Sequence, residues 1–137
     1  MTTTLTKRIV FDAHAILRWT QKEPGYQKVK SLLVACREGS ALGYMNRLNL
    51  GEVHYKTIRV LGTEGAKDFM ENFVRLPITI VLPDEALIWK AAELKAQYPI
   101  SFADCFAAAT ALIQKASVVT GDPEFKKLSK VVPIEWL

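Results

Sequence analysis

The apolar positions of this chain follow two rhythms. Short runs rich in β-branched and aromatic residues occur at 8–11, 41–45, 78–81, 117–120 and 131–134. Runs of this kind read as strands, the first of them buried. Pro83 closes off the third and Gly121 stops the fourth. Pro133 lies within the fifth, and a proline favours an edge position. Between the runs the spacing turns helical. Helices are predicted over 13–19, 27–37, 50–60, 64–74, 83–97 and 102–115. In the second of these, Val29, Leu32, Leu33 and Cys36 stand at i, i+3, i+4 and i+7, which gives one apolar face. Pro83-Asp84-Glu85 suits a first turn, and the alanines of 102–115 favour helix by propensity. Strands alternating with helices imply right-handed crossovers. The expected fold class is α/β, a three-layer α/β/α sandwich around a mainly parallel sheet of four to five strands.

Composition narrows the picture. Half of the 137 residues are apolar, enough for one core without disulfide or structural metal, so one domain over 1–137 is expected. Residues 1–7 are polar and read as a flexible tail. They lack the apolar core of a signal peptide, and no apolar run reaches the roughly 18 residues of a membrane span. The two cysteines, Cys36 and Cys105, have no CxxC spacing and no histidine pair nearby. They read as reduced, buried thiols, and the expected location is the cytoplasm. The net charge of +4 averages 18 basic against 14 acidic residues. If several acids are gathered in one pocket, the remaining surface is more basic than that average. Such a surface suits a polyanion bound together with a divalent cation.

In a parallel sheet, strand C-termini and the N-termini of the following helices share one edge, where ligands bind. Four acids map to that edge. Asp12 directly follows the first strand and Asp122 the fourth; Glu52 and Asp104 fall in the first turns of the helices at 50–60 and 102–115. Four crowded carboxylates repel one another, and a hard dication such as Mg²⁺ or Mn²⁺ relieves the repulsion with all-oxygen ligands. Such an ion can activate water and stabilise charge at a phosphodiester. A plainer reading competes. Ser101-x-x-Asp104 is a capping box, Asn49-x-x-Glu52 is a near-variant of one, and Asp12 and Asp122 are good N-caps. Each acid alone fits a cap; four at one edge are harder to explain by capping.

Asp12 after the first strand, Asn49-x-x-Glu52, Ser101-x-x-Asp104, and Thr120-x-Asp122 followed by Pro123-x-Phe125 resemble the PIN domain. Length and spacing resemble the VapC toxins of toxin–antitoxin pairs. The resemblance implies a Mg²⁺- or Mn²⁺-dependent endoribonuclease. Asp12 and Asp104 would be the core metal ligands, Glu52 and Asp122 would complete the quartet, and Asn49, Ser101 and Thr120 would orient carboxylates or water. It also implies an RNA substrate, a cognate antitoxin and a homodimer. The chain departs from many relatives where Ala13-His14 and Asn46 replace Ser or Thr.

Other residues weigh less. Arg18, Lys22, Arg47, Lys56 and Arg59 lie near the ends of the proposed edge and are candidates for RNA contact, although a solvated basic face explains them equally well. His14, two residues after Asp12, reads as a helix-face histidine, and His54 points away from Glu52. Trp19, Tyr26 and Tyr55 could stack on bases, but packing accounts for them better. The rival functional reading is a catalytically inactive PIN-like adaptor or RNA-binding module, to which four repelling acids would be of no use. A receiver domain lacks its additional acid beside Asp12, and a DxD phosphatase fails because position 14 is His.

Overall fold

The computed structural model describes residues 6–137. The first five residues of the expected tail lie outside this range, and Lys7 already opens a strand. Five strands, β1 (Lys7–Phe11), β2 (Ala41–Asn46), β3 (Ile78–Val81), β4 (Ser117–Thr120) and β5 (Ile134–Trp136), form one sheet in the order β3-β2-β1-β4-β5. Every pairing is parallel. The helices are α1 (Ala13–Thr20), α2 (Tyr26–Glu38), α3 (Arg47–Phe73), α4 (Glu85–Gln97) and α5 (Phe102–Gln114), with a 3-10 helix over Pro123–Leu128.

Side-chain alternation along the central strands divides the core in two. Ile9, Phe11 and Val119 face a cluster built with Ile16, Val29, Leu33, Val53 and Phe73 from α1, α2 and α3. Val10 and Val118 face the opposite cluster, with Leu87, Leu94, Phe106 and the alanines of α5. Both faces of the sheet are therefore covered, as a parallel sheet requires. The chain winds outward from β1 through β2 to β3, then returns through α4 and α5 to place β4 on the other side of β1. Connections leave in opposite directions at the C-terminal ends of β1 and β4, which opens a crevice there.

Several boundaries differ from the sequence reading. The helices expected at 50–60 and 64–74 form a single span, Arg47–Phe73, broken at Gly62 (φ 75°, ψ 175°). That left-handed φ is open to glycine at little cost. The span starts at Arg47 because Asn46, not Asn49, is its N-cap: Asn46 Oδ1 accepts the Leu48 N–H at 2.8 Å. Glu52 consequently sits in the second turn. Asp84, rather than Pro83, begins α4; its Oδ1 accepts the Leu87 N–H at 2.9 Å. The last strand lies slightly later than expected, at Ile134–Trp136, and occupies the sheet edge. Pro133 precedes it and contributes only its carbonyl, which accepts the Val118 N–H at 2.9 Å.

Candidate active site

The crevice between β1 and β4 is where the acids meet. The register sets Phe11 opposite Val119, so the next residues out are Asp12 and Thr120. Asp12 caps α1, with Oδ1 accepting the Ala15 N–H at 2.7 Å. Its residue is only 2 % exposed, and no lysine or arginine is paired with it among the described residues. Burial pushes its carboxyl up to about 7; Thr120 and the Ala15 amide oppose this, while Asp104 and Asp122 add to it. Asp104, in the first turn of α5, is raised to about 6, by burial first and then by Asp122, with Glu52 and Glu124 adding smaller repulsions and the Ser101 hydroxyl opposing.

Asp104 is thus the hub of the acidic group. It feels Asp122, Glu52 and Glu124 and itself raises Asp12. Glu52 stands at the periphery, with Oε2 3.6 Å from Lys56 Nζ one turn along α3. Asp122 caps the 3-10 helix, its Oδ1 accepting the Glu124 N–H at 3.0 Å. Asp12 and Asp122 are thus helix caps that also lie close enough to repel each other.

The expected supporting residues lie around this group in different roles. Thr120 is fully buried, and its Oγ1 accepts the Asp122 N–H at 3.0 Å. Ser101 caps α5, its Oγ accepting the Asp104 N–H at 3.1 Å. Asn49, freed from capping, donates Nδ2 to the Ala103 carbonyl at 3.0 Å, and its Oδ1 is buried without a partner. That bond ties α3 to the turn of α5 that carries Asp104.

Two contributors were not visible in the sequence. Thr110 on α5 accepts the Asn46 Nδ2 at 3.1 Å, locking the end of β2 to α5. A mid-helix threonine among alanines gives no signal of this. Glu124 was legible only as an acid in the first turn after Asp122-Pro123.

The basic residues separate. Arg59 lies over the Tyr55 ring at 4.9 Å, Lys56 is paired with Glu52, and Lys22 and Arg47 are exposed. Arg18 is half-buried, its Nε without an acceptor. His14, also half-buried, has an unpartnered Nδ1; burial and Arg18 push its pKa below the ordinary value, against Asp122 and Glu23. His54 lies elsewhere, lining an open groove of about 630 Å³ with Ile58, Met70 and Val74.

The donor set at the crevice is all oxygen, the chemistry that suits Mg²⁺ or Mn²⁺ rather than a softer metal. Asp12 is a buried carboxylate with no counter-cation from the protein, as a cation site requires. Among the described residues no three acid, histidine or cysteine side chains close on one point. An ion at this crevice would have at most one or two of these carboxylates as ligands and would keep waters in its other positions.

No curated protein sequence matches the chain. Among solved structures it is similar to a chain of VapBC2 from Rickettsia felis bound to a promoter DNA fragment, with a TM-score of 0.76 and 14% identity, covering 95% of this chain and 98% of that one. It is similar to a chain of DNA-bound VapBC from Salmonella typhimurium (TM-score 0.73, 19% identity, 96% and 98% covered). It is also similar to VapC20 of Mycobacterium tuberculosis, described as a sarcin-ricin loop cleaving toxin (TM-score 0.73, 14% identity, 94% and 99% covered). At these identities the likeness shows the fold. The sequence model of the PIN domain matches residues 9–131, a span that holds Asp12, Glu52, Asp104 and Asp122, and the chain belongs to the PIN domain family.

Proposed function

We propose that this protein is a divalent-metal-dependent endoribonuclease and the toxin of a toxin–antitoxin pair. The observation that carries the reading is the buried, cation-free carboxylate of Asp12 facing Asp104 and Asp122 at the crevice between β1 and β4. Asp12 and Asp104 would hold Mg²⁺ or Mn²⁺, with Asp122 and Glu52 around them. The ion, when bound, supplies charge stabilisation at a phosphodiester and lowers the pKa of a water. Asp122 and Glu52 accept hydrogen bonds from water and so orient it. Thr120 and Ser101 hold the acids in place, and Asn49 fixes α3 against α5. An inactive adaptor would leave unexplained why this buried cap is a carboxylate crowded by two further acids with no protein counter-cation, rather than a neutral residue that caps as well.

The toxin assignment draws on two further supports. Structural neighbours are described as VapBC and toxin–antitoxin complexes. The open groove lined by Ile58, Met70 and Val74 offers an antitoxin segment an apolar surface. Leu82, Ile88, Trp89 and Phe102 are exposed around α4 and the start of α5, and support a homodimer through that face. No helix of the described residues is long and apolar enough to cross a membrane.

The test is incubation of the purified protein with total cellular RNA in Mn²⁺ and in excess chelator. Discrete cleavage products in Mn²⁺ and none in chelator support the proposal. Intact RNA in both, or equal cleavage in both, refutes it.

A further inference from the structure

Arg18 stands apart from the other cations near the acids. It comes from the last turn of α1, and its head group is packed against Gly121, the residue between Thr120 and Asp122. A Cβ placed on Gly121 would lie 2.5 Å from Arg18 Cζ, 2.5 Å from Nη2 and 2.7 Å from Nη1. The guanidinium therefore occupies the space of a missing side chain on the turn that carries two site residues. Gly121 does not need glycine for its backbone, because its φ is not in the left-handed region. The glycine serves to make room.

A half-buried guanidinium normally satisfies itself with a carboxylate or carbonyl. Arg18 Nε is buried without an acceptor. No carboxylate lies within 4.0 Å of its nitrogens among the described residues. Asp122 is on the same turn but is turned to its own helix, accepting from Glu124 N–H. Of the other cations considered, Lys56 is engaged by Glu52 and Arg59 by the Tyr55 ring, while Lys22 and Arg47 are exposed rather than seated in the fold. What remains is a guanidinium held between Gly121 and Gly25, with the Leu137 backbone close by, whose Nη groups rather than the buried Nε would meet an anion. Its natural partner is an anion that arrives from outside, and the fork geometry of Arg suits phosphate oxygens.

We propose that Arg18, held in place against Gly121, binds a backbone phosphate of the RNA on the Asp122 side of the carboxylate group. The inference rests on the nuclease reading above. It adds a residue that sets where the RNA backbone lies relative to the acids.

The test measures affinity for a short, fluorescein-labelled, 2′-O-methylated single-stranded RNA of mixed sequence, with Mn²⁺ present, across a salt series. The variants are Arg18→Gln, Arg18→Lys, Gly121→Ala and the double Arg18→Gln/Gly121→Ala. Arg18→Gln should weaken RNA binding by about tenfold and reduce the salt slope by about 0.7, the value for one phosphate contact on a single strand. Arg18→Lys should retain part of the affinity. Gly121→Ala should weaken binding in the wild-type background and have no effect in the Arg18→Gln background, because its effect passes through the displaced guanidinium. Mn²⁺ affinity should not weaken in Arg18→Gln, because losing a cation beside the carboxylates cannot loosen a bound dication, whereas a general disturbance of the turn would weaken it. Wild-type affinity and salt slope in Arg18→Gln, or an equal Gly121→Ala penalty in both backgrounds, overturns the inference. If Arg18→Gln fails to fold, Arg18→Lys decides: undiminished affinity overturns the inference, a partial loss upholds it. A wild-type protein that cleaves RNA while Arg18 variants bind normally sinks this inference alone; a wild type that neither binds nor cleaves sinks the nuclease reading with it.

Discussion

Thr120 and Asp122 are joined by a hydrogen bond from the Asp122 backbone N–H to the Thr120 hydroxyl at 3.0 Å. The same hydroxyl favours the ionised form of Asp12. One buried side chain therefore holds two acids of the crevice in relation to each other.

Removing that hydroxyl should be felt in two measurements. Thr120→Val leaves the Asp122 N–H without its acceptor and should cost about 1–2 kcal/mol in urea unfolding. It should also weaken Mn²⁺ binding by about tenfold or more in titration calorimetry, the usual scale for a group that orients a ligand. Thr120→Ser should restore both. A Thr120→Val protein with wild-type Mn²⁺ affinity would show that the hydroxyl supports only the fold.

The metal-free protein should lose stability as pH rises. In the folded state Asp12 is raised to about 7 and Asp104 to about 6, whereas an unfolded aspartate titrates near 4. The folded chain thus binds more protons across this window. The stability contributed by these protonated acids is complete below about pH 4 and is lost as pH climbs through about 6 to 7. Melting temperature in chelator should fall between about pH 5 and pH 8, and the fall should be smaller in Asp12→Asn. Millimolar Mn²⁺ should oppose the fall, since it binds the ionised carboxylates. A chelated wild type and an Asp12→Asn variant with parallel pH profiles would contradict the environment described for Asp12.

Asn46 and Asn49 can be told apart by stability. Asn46→Ala removes the cap on Leu48 N–H and the bond to Thr110, and should cost about 1–3 kcal/mol. Asn49→Ala removes a single bond to the Ala103 carbonyl, along with an orphaned Oδ1, and should cost less. Chemical denaturation of the two variants checks the order. A larger loss at Asn49 would move the helix start back to the position its sequence suggests.

For the proposed dimer, light scattering should give twice the chain mass for the wild type. Trp89, 60% exposed, should be central to that surface, and Trp89→Glu should give the single-chain mass with melting little changed. A wild type that is monomeric at every concentration rules out this arrangement.

The strand–helix rhythm and the edge on which the acids lie were legible because they depend on local pattern and on the geometry common to parallel sheets. Asp12 follows a short β-branched run, a pattern that reads as the end of a strand. Where two residues offered the same local chemistry, tertiary structure decided. Asn46 and Asn49 both suit an N-cap; the pairing of Asn46 with Val81 keeps β2 extended to that point, so the helix begins directly after it. Contacts between distant segments left no local trace. The seating of Arg18 on Gly121, the bond between Asn46 and Thr110, and the approach of Glu124 to Asp104 each depend on how separate elements meet.

Whether the carboxylates at the end of β1 and the start of α5 form a metal-dependent nuclease site can be read from stability and cleavage measured together in Asp12→Asn and Asp104→Asn. Asparagine caps a helix about as well as aspartate, so a purely capping role should survive both changes. Both variants should fold, with apo melting temperatures equal to or above wild type, because a raised, repelled acid has been neutralised. Mn²⁺-dependent RNA cleavage should fall by about a hundredfold or more in each, the scale of losing a charged ligand. Asn variants that cleave RNA at the wild-type rate would contradict the claim and leave these residues as helix caps.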